Sequence, residues 1–421
     1  MVGRKRTATK EKVQLVAKRS RRDLLLDAAA RQLNASGISQ TALSDLAASL
    51  GLSRAAVYYY ADDRQDLVFQ CYRRACEALA RDLAAAAREP GDAIDRIAGF
   101  VTRSLDPERV EEAVLSEVAY LGDDQRATIE ALSGGVLAQL VALIEDGQRR
   151  GEIRTCDSHI VAQALIGIVS WVPLAPRWVG ESGDIRARSA AAAIDLIRNG
   201  VAAKADPNQP LPRLDVAVLR PARGSLFSRE EAAAMKTEEL LRTASRLFNR
   251  KGIDATSLDE IGAAVGATKS VVYHYLTDKP DLVAQCYRRA FALGEKVLEA
   301  TESVEGDGFT RNVAGYGLLV EMNARAEFSP LAPLAGIDAL HPKARKEIVA
   351  LALRSEESFP AAAAAGVADG SIRRIDLTGT AVALAGTFGW IPKWFDGEDE
   401  ATVERIALEL QRLYAFGLRP R

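Results

Sequence analysis

The sequence predicts an all-α protein built from two copies of one helical unit. Three observations carry that expectation. Residues 25–75 align without a gap on residues 240–290 with 24 identities in 51 positions, including DLVFQCYRRA at 66–75 and DLVAQCYRRA at 281–290. After a four-residue shift the register returns: Gly151-Glu152-Ile153-Arg154 matches Gly370-Ser371-Ile372-Arg373, and Trp171-Val172-Pro173 matches Trp390-Ile391-Pro392. Long alanine-rich segments repeat their apolar residues at helical spacing, and aromatics make up only 6% of the chain. A period this long excludes a solenoid, whose repeats recur about every 20–50 residues.

Composition narrows the function classes. A chain of 421 residues is long enough for several domains with substantial cores. No apolar run approaches the roughly 20 residues of a membrane span, and the N-terminus MVGRKRTATKEK lacks the apolar core of a signal peptide, so a cytoplasmic protein with no membrane partner is expected. Four cysteines make no disulfide framework, and Cys71 and Cys286 occupy one repeat position, which suits core residues on a helix. The three histidines have no metal-type spacing, so neither a metal nor a cofactor is expected. No Gly-rich phosphate loop, nucleophile elbow or metal cluster supports catalysis.

The net charge of −2 hides a polar chain end. Residues 1–22 hold nine Lys or Arg and one Glu, without apolar periodicity. Such an arm is either a solubilising tail or a basic strand that lies along DNA phosphates.

The elements that follow favour DNA. Leu26, Ala29 and Leu33 form one face of a helix that stops at Gly37, as Leu241, Ala244 and Phe248 do before Gly252. Thr41 and Thr256 stand where an N-cap of the second helix would sit; in the second copy Ser257 and Glu260 also have capping-box spacing, so the start can slide by one residue. Each second helix ends at Gly51 or Gly266, and Ser53 or Thr268 caps a third helix, RAAVYYY or KSVVYHY. Helix, short glycine turn and helix is the spacing of a helix-turn-helix. A helix entering the major groove needs exposed donors near its start, small residues for close approach, and aromatic or basic groups that reach phosphates. Arg54, Ala55, Tyr58 and Tyr59 meet those needs in the first copy, and Lys269, Ser270, Tyr273 and His274 in the second. Val57 and Val272 should anchor the helix inward, and Arg64 and Lys279 open the next helix as cations. Three consecutive tyrosines point about 100° apart on a helix, so Tyr58, Tyr59 and Tyr60 cannot all be buried in one interface.

GLSRAAVYYYADDRQDL and GATKSVVYHYLTDKPDL resemble the recognition-helix signature of tetracycline-repressor-type (TetR) regulators, over about 50 residues in each copy. The resemblance implies three N-terminal helices that bind DNA and about six further helices for inducer binding and dimerisation. Base and phosphate contacts would fall on Arg54, Ala55, Tyr58, Tyr59, Tyr60 and Arg64, and on Lys269, Ser270, Tyr273, His274, Tyr275 and Lys279; with the caps Thr41, Ser53, Thr256 and Thr268 these form the DNA-facing set. The aromatic that usually follows the tyrosine run is replaced by Ala61 and Leu276, which alters packing beneath the recognition helix.

The expected organisation is a basic arm (1–19), a first head (20–66), a first regulatory domain (67–200), a linker (201–230), a second head (231–281) and a second regulatory domain (282–421). The repeated decapeptide starts the helix that joins head to body, with Leu67, Cys71, Ala75 and Ala78 on one face. HIVAQALIGIVSW and TAVALAGTFGW read as buried helices that pair with those near 183–199 and 399–415 into a four-helix interface. By the resemblance, each body holds a ligand cavity; candidate lining residues are Phe100, Tyr120 and Trp171 in one and Tyr316, Met322, Phe328 and Trp390 in the other, although each alone is as well suited to a core. The Pro-rich linker, if extended, spans up to roughly 100 Å. One chain would then supply both heads of a regulator, most often a repressor in this family, as a monomeric pseudo-dimer on an imperfect palindromic operator released by a small-molecule effector, unless tandem chains pair further. The alternative is a helical small-molecule-binding or scaffold protein with one or both heads not binding DNA.

Overall fold

The computed structural model describes residues 20–179, 184–204, 210–220, 228–267, 277–333 and 337–420. The basic arm, and Thr268, Lys269, Ser270, Val272, Tyr273, His274, Tyr275 and Leu276 of the second recognition helix, lie outside the described residues. The first unit comprises α1 (Arg21–Ser36), α2 (Leu43–Ser49), α3 (Arg54–Tyr58), α4 (Arg64–Ala86), α5 (Ala93–Ser104), α6 (Asp123–Arg149), α7 (Ser158–Trp171), the short α8 (Pro176–Val179) and α9 (Ile185–Asn199). The second comprises α10 (Arg229–Lys251), α11 (Leu258–Ala264), α12 (Lys279–Glu302), α13 (Gly308–Ala324), α14 (Pro342–Asp369), α15 (Leu377–Gly389) and α16 (Glu400–Phe416). Among the described residues no strand occurs, only an isolated antiparallel bridge between Ala202 and Ile372.

Helix starts repeat with the sequence. Asp63 and Asp278, Asp92 and Asp307, and Asp157 and Asp376 are matching positions, and each accepts a first-turn backbone N–H. A carboxylate there satisfies an orphan donor and faces the positive end of the helix dipole. Thr41 and Thr256, by contrast, are not caps. Both are buried, and each hydroxyl donates to the carbonyl of the glycine that ends the preceding helix, Gly37 at 2.7 Å and Gly252 at 2.8 Å. Ala42 precedes α2 without a side-chain bond, whereas Ser257 caps α11. The threonines therefore close turns and leave the DNA-facing set.

The units pack face to face through α7, α9, α15 and α16, and one core runs through both, from Phe100 and Leu165 to Tyr316 and Phe416. At its centre α7 and α15 cross backbone to backbone: a Cβ on Gly167 would lie 2.3 Å from the Gly386 carbonyl oxygen, and one on Gly386 would lie 2.6 Å from that of Gly167. The surrounding bonds come in exchanged pairs. Val201 N donates to Tyr414 O (3.0 Å) and Leu418 N to Ile197 O (2.8 Å). Arg154 Nε donates to Gly417 O (2.7 Å) and Arg373 Nε to Gly200 O (2.5 Å). Repeat-related residues trading partners is the signature of a two-fold interface, here closed within one chain. The matched Gly-x-Ile-Arg segments thus clamp the end of the opposite unit's last helix.

Three features break the symmetry. Arg188 of α9 forms a two-pronged pair with Asp376 at the start of α15, 2.7 and 2.8 Å. The α8 turn carries Trp178 into the second unit's core. Residues 210–220 form a docked strap, unlike the extended tether expected: Gln411 Nε2 donates to Pro212 O (3.0 Å), Arg213 pairs with Glu321 (2.8 Å), and Val216 and Leu219 are buried with Val297, Leu318 and Phe328.

One reading of the sequence needs correction. α6 is long and apolar enough to cross a membrane by length and composition, with an 18-residue stretch of mean hydropathy 1.7. Val136, Leu137, Leu140, Val141, Leu143 and Ile144 raise that mean, Glu130, Gln139 and two glycines interrupt the apolar run, and α6 packs on α4 and α7.

The crossing makes Gly386→Ala destabilising. It should cost ~1–3 kcal/mol in urea unfolding, because backbone cannot yield as a side chain does. Gly134→Ala on α6, where a Cβ meets open space, should instead be neutral or stabilise by up to ~1 kcal/mol.

Candidate DNA-binding heads and effector cavity

In the first head α3 begins behind Ser53, whose side chain accepts Ala56 N at 3.2 Å. Val57 is buried, and Ala61 fills the space beneath α3 as a buried small residue. Tyr58 and Tyr59 are 41% and 81% exposed, whereas Tyr60 is half-buried, edge-on to Tyr59 at 5.1 Å between ring centres. Arg54 lies one turn before Tyr58, its guanidinium 5.6 Å from the ring centre and its Nη2 donating to the phenol oxygen at 3.4 Å. Arg54, Ala55, Tyr58 and Tyr59 therefore share an outward surface, and Arg64 is half-buried at the first position of α4. The far end of α3 is held by the repeated decapeptide: Gln70 Nε2 donates to Tyr60 O at 2.8 Å and its Oε1 accepts from Arg22.

Each head is pinned to its body by an asparagine that the sequence reading missed. Buried Asn34 donates to Glu112 O (2.8 Å) and accepts from Val114 N (2.9 Å). Its counterpart Asn249 donates to Pro330 O (2.8 Å) and accepts from Ala332 N (2.9 Å). The available signal was an identical polar residue within the apolar end of both first helices. Arg74 adds a pair to Asp27 (2.7 Å) and Glu112 (2.8 Å). Cys71 and Cys286 are core residues whose thiols burial pushes up to about 12.

The heads also touch. Ser39 N in the first head donates to Asp254 Oδ2 in the second at 2.6 Å, and these are equivalent repeat positions. The same turn is gripped by buried Glu117 of the first body, which accepts from Ile253 N (3.1 Å), Asp254 N (2.9 Å) and Ala255 N (3.3 Å). Gly252, at φ +100°, is required there, since a Cβ would lie 2.2 Å from Glu117 Cγ. Burial first, and Asp254 second, push the Glu117 carboxyl up to about 7, against the pull of Lys393 and the backbone donors. Lys393, from the second body, donates to Ser116 O, and burial lowers its ammonium to about 8. Lys279, expected as a phosphate contact, is turned toward the Asp254 carbonyl at 3.5 Å and half-buried, which depresses its pKa.

A cavity of about 240 Å³ opens within the second unit, between α12, α13, α14 and α15. Tyr316 and Met322 line it as expected. Trp171 lines it too, but from the opposite unit, together with Trp178, whose ring meets Tyr287 edge-on at 5.0 Å. The other candidates sit elsewhere: Phe100 in the shared core, Tyr120 in a short turn beside the first head, Phe328 under the strap, and Trp390 in a small neighbouring pocket. Register explains why the cavity lies in the second unit. Gly147 and Gly366 are equivalent, each closely approached by the matched Ile153 or Ile372. Counting back, Val136, Leu137, Leu140, Val141, Leu143 and Ile144 of α6 become Ser355, Glu356, Phe359, Pro360, Ala362 and Ala363 of α14. The first set packs into the core, while the second lines the cavity.

The family described as bacterial regulatory proteins, tetR family, matches residues 25–71 and 240–286, and the tetracyclin repressor-like C-terminal domain matches 87–201 and 328–417. The chain belongs to the tetR family. Both family domains occur twice in tandem, so this TetR-family regulator is a duplication. It is similar to the HTH-type transcriptional regulator AcrR of Shigella flexneri, 33% identical over 79 residues, 18% of this chain and 37% of that protein; the match thus spans about a third of the relative. Among solved structures it is similar to apo AibR (18% identity, TM-score 0.36, covering 42% of this chain and 97% of that one) and to the TetR-family regulator PfmR of Thermus thermophilus (27%, 0.33, 43% and 99%). A further match is AibR in complex with isovaleryl coenzyme A and operator DNA (19%, 0.37, 42% and 97%).

The Glu117 hub gives a pH dependence with a defined sign. Its carboxyl binds a proton more tightly folded than unfolded, so its contribution to stability is complete below about pH 4.5 and falls as pH rises to about 7. Denaturant unfolding at pH 5 and pH 8 should show that fall in the parent chain and a shallower one in Glu117→Gln.

Proposed function

We propose that the chain is a transcriptional repressor in the cytoplasm whose two heads engage the two half-sites of one operator as an intramolecular pair, and that a small molecule in the second unit's cavity releases it. The supporting observation is the exchanged bonding across α7, α9, α15 and α16. It gives a single chain the two-fold pairing that a helix-turn-helix protein ordinarily obtains from two chains, so that paired recognition helices meet successive major grooves about 34 Å apart.

Readout is assigned to Arg54, Ala55, Tyr58 and Tyr59 in the first head, with Ser53, Tyr60 and Arg64 supporting, and to Lys269, Ser270, Tyr273 and His274 in the second, with Thr268 and Tyr275 supporting. Because Arg54 and Tyr59 of the first copy correspond in sequence to Lys269 and His274 of the second, the half-sites are unequal. The effector acts through contacts already described. Phe388 of α15 lines the cavity, Lys393 follows α15 and holds Ser116, and neighbouring Glu117 holds the second head's turn. Movement of α15 therefore reaches the contact between the heads.

Footprinting and gel retardation test this reading. One chain per operator should protect two unequal half-sites. Tyr59→Ala and Lys269→Ala should each weaken binding by ~1–3 kcal/mol, each with its loss concentrated in a different half-site. Protection of a perfect palindrome by two chains would refute the pairing. Absence of any retardation at moderate salt would leave a small-molecule-binding protein with inactive heads.

A further inference from the structure

The inference rests on the effector reading above and names the ligand class. Of the polar groups at the cavity wall, several are already engaged. Tyr316 and Thr387 share a 2.7 Å hydrogen bond, Tyr414 donates to Asn312 at 2.7 Å, and Asn323 donates to Leu319 O at 2.9 Å. The Tyr316, Thr387 and Tyr414 hydroxyls and the Asn323 amide N–H are thus engaged within the wall. Glu356 lines the same space without a hydrogen-bond or ion-pair partner among the described residues. Its carboxyl is raised by burial first and by neighbouring Glu357 second, and the cation that lowers it, Arg188, is committed to Asp376. The Trp171 indole N–H is likewise buried and unpartnered, on a side chain only 8% exposed. Among the described residues no Lys, Arg or His lines the cavity.

We propose that the cavity takes one aromatic organic cation per chain, held between Glu356 of the second unit and the Trp171 and Trp178 indoles of the first. A carboxylate facing electron-rich ring faces stabilises positive charge both directly and through the ring quadrupoles. An anionic acyl or phosphate ligand would instead bring a second negative charge beside Glu356, with no cation among the described lining residues and Arg188 already paired with Asp376. The single copy follows from packing, since the Glu356 position is Leu137 in the first unit and Val136, Leu140 and Ile144 around it are buried. Because two of the walls belong to the other unit, the ligand bridges the pseudo-dimer interface.

Isothermal titration of the full chain with naphthylmethyl-trimethylammonium, and with its uncharged isostere neopentylnaphthalene, tests the class. The cation should saturate at one per chain and bind about tenfold or more tightly than the isostere, a preference worth ~1.4 kcal/mol. Glu356→Gln should remove that preference while leaving isostere affinity within about twofold. Equal binding of the two probes to the parent chain, a preference that survives Glu356→Gln, or two cations per chain would each overturn the proposal. The comparison within the parent chain stands even if the variant does not fold. The effector reading is judged separately, by whether a bound probe of either charge lowers operator retention in a gel; a neutral probe that does so would overturn the cation class and keep the effector role.

Discussion

Everything in this molecule hangs on the approach of two glycines. Gly167 and Gly386 let α7 and α15 cross with their backbones in contact, and that crossing fixes the pseudo-two-fold on which the other pairings lie. With any larger residue the helices would separate, and the exchanged bonds of Arg154 and Arg373 to Gly417 and Gly200 would be lost with them. A homodimer would meet the same demand with a single position. Here two separate positions of one chain, Gly167 and Gly386, must each accommodate the other.

Around that fixed axis the halves have divided their labour. α6 retains bulky aliphatics and builds a filled first body, while the matching stretch of α14 carries serine, glutamate, proline and alanine, and a cavity opens. Loss of side-chain volume in a packed core ordinarily destabilises in proportion to the space left. The second body offsets that cost with material from outside its own repeat. Trp171 and Trp178 enter from the first unit, and the strap at 210–220 buries Val216 and Leu219 over α12 and α13. Asymmetry in the cavity and asymmetry in the interface are thus one feature, and a duplicated chain permits it where identical subunits would not.

The fold was largely legible, because the repeat marked its own register. Helical periodicity located the elements, the four-helix interface followed from the apolar segments before Trp171 and Trp390, and the outward tyrosines of α3 followed from helix geometry. What escaped were the long-range partners. Gly151-Glu152-Ile153-Arg154 and its twin served as alignment marks, with nothing local to reveal that each arginine reaches the opposite unit. Thr41 looked like a cap because capping residues and turn-closing residues share the same chemistry and lie one position apart. Lys279 was expected as a phosphate contact, and the Asp254 carbonyl beside it is a partner that local sequence does not reveal. The strap at 210–220 carried the Pro-rich composition of a tether, and composition does not say whether apolar residues such as Leu219 find a surface to cover.

The heads present the last constraint. Turns at equivalent repeat positions meet as Ser39 N to Asp254 Oδ2, a donor facing a carboxylate, which identical subunits could not place on one axis without a second copy of the same residue. Glu117 adds a hydrogen-bonded grip of the first body on the second head, while residues 337–339 of the second body pack on α1 of the first head, which keeps its own Asn34 anchor. A carboxylate that must accept three backbone donors, beside another acid and below a half-buried lysine, has its best geometry in a narrow range of head positions. Shifts of the second body are therefore felt at this turn. In the proposed release, that contact couples α15 to the spacing of the heads through a handful of backbone amides, not through the recognition helices themselves.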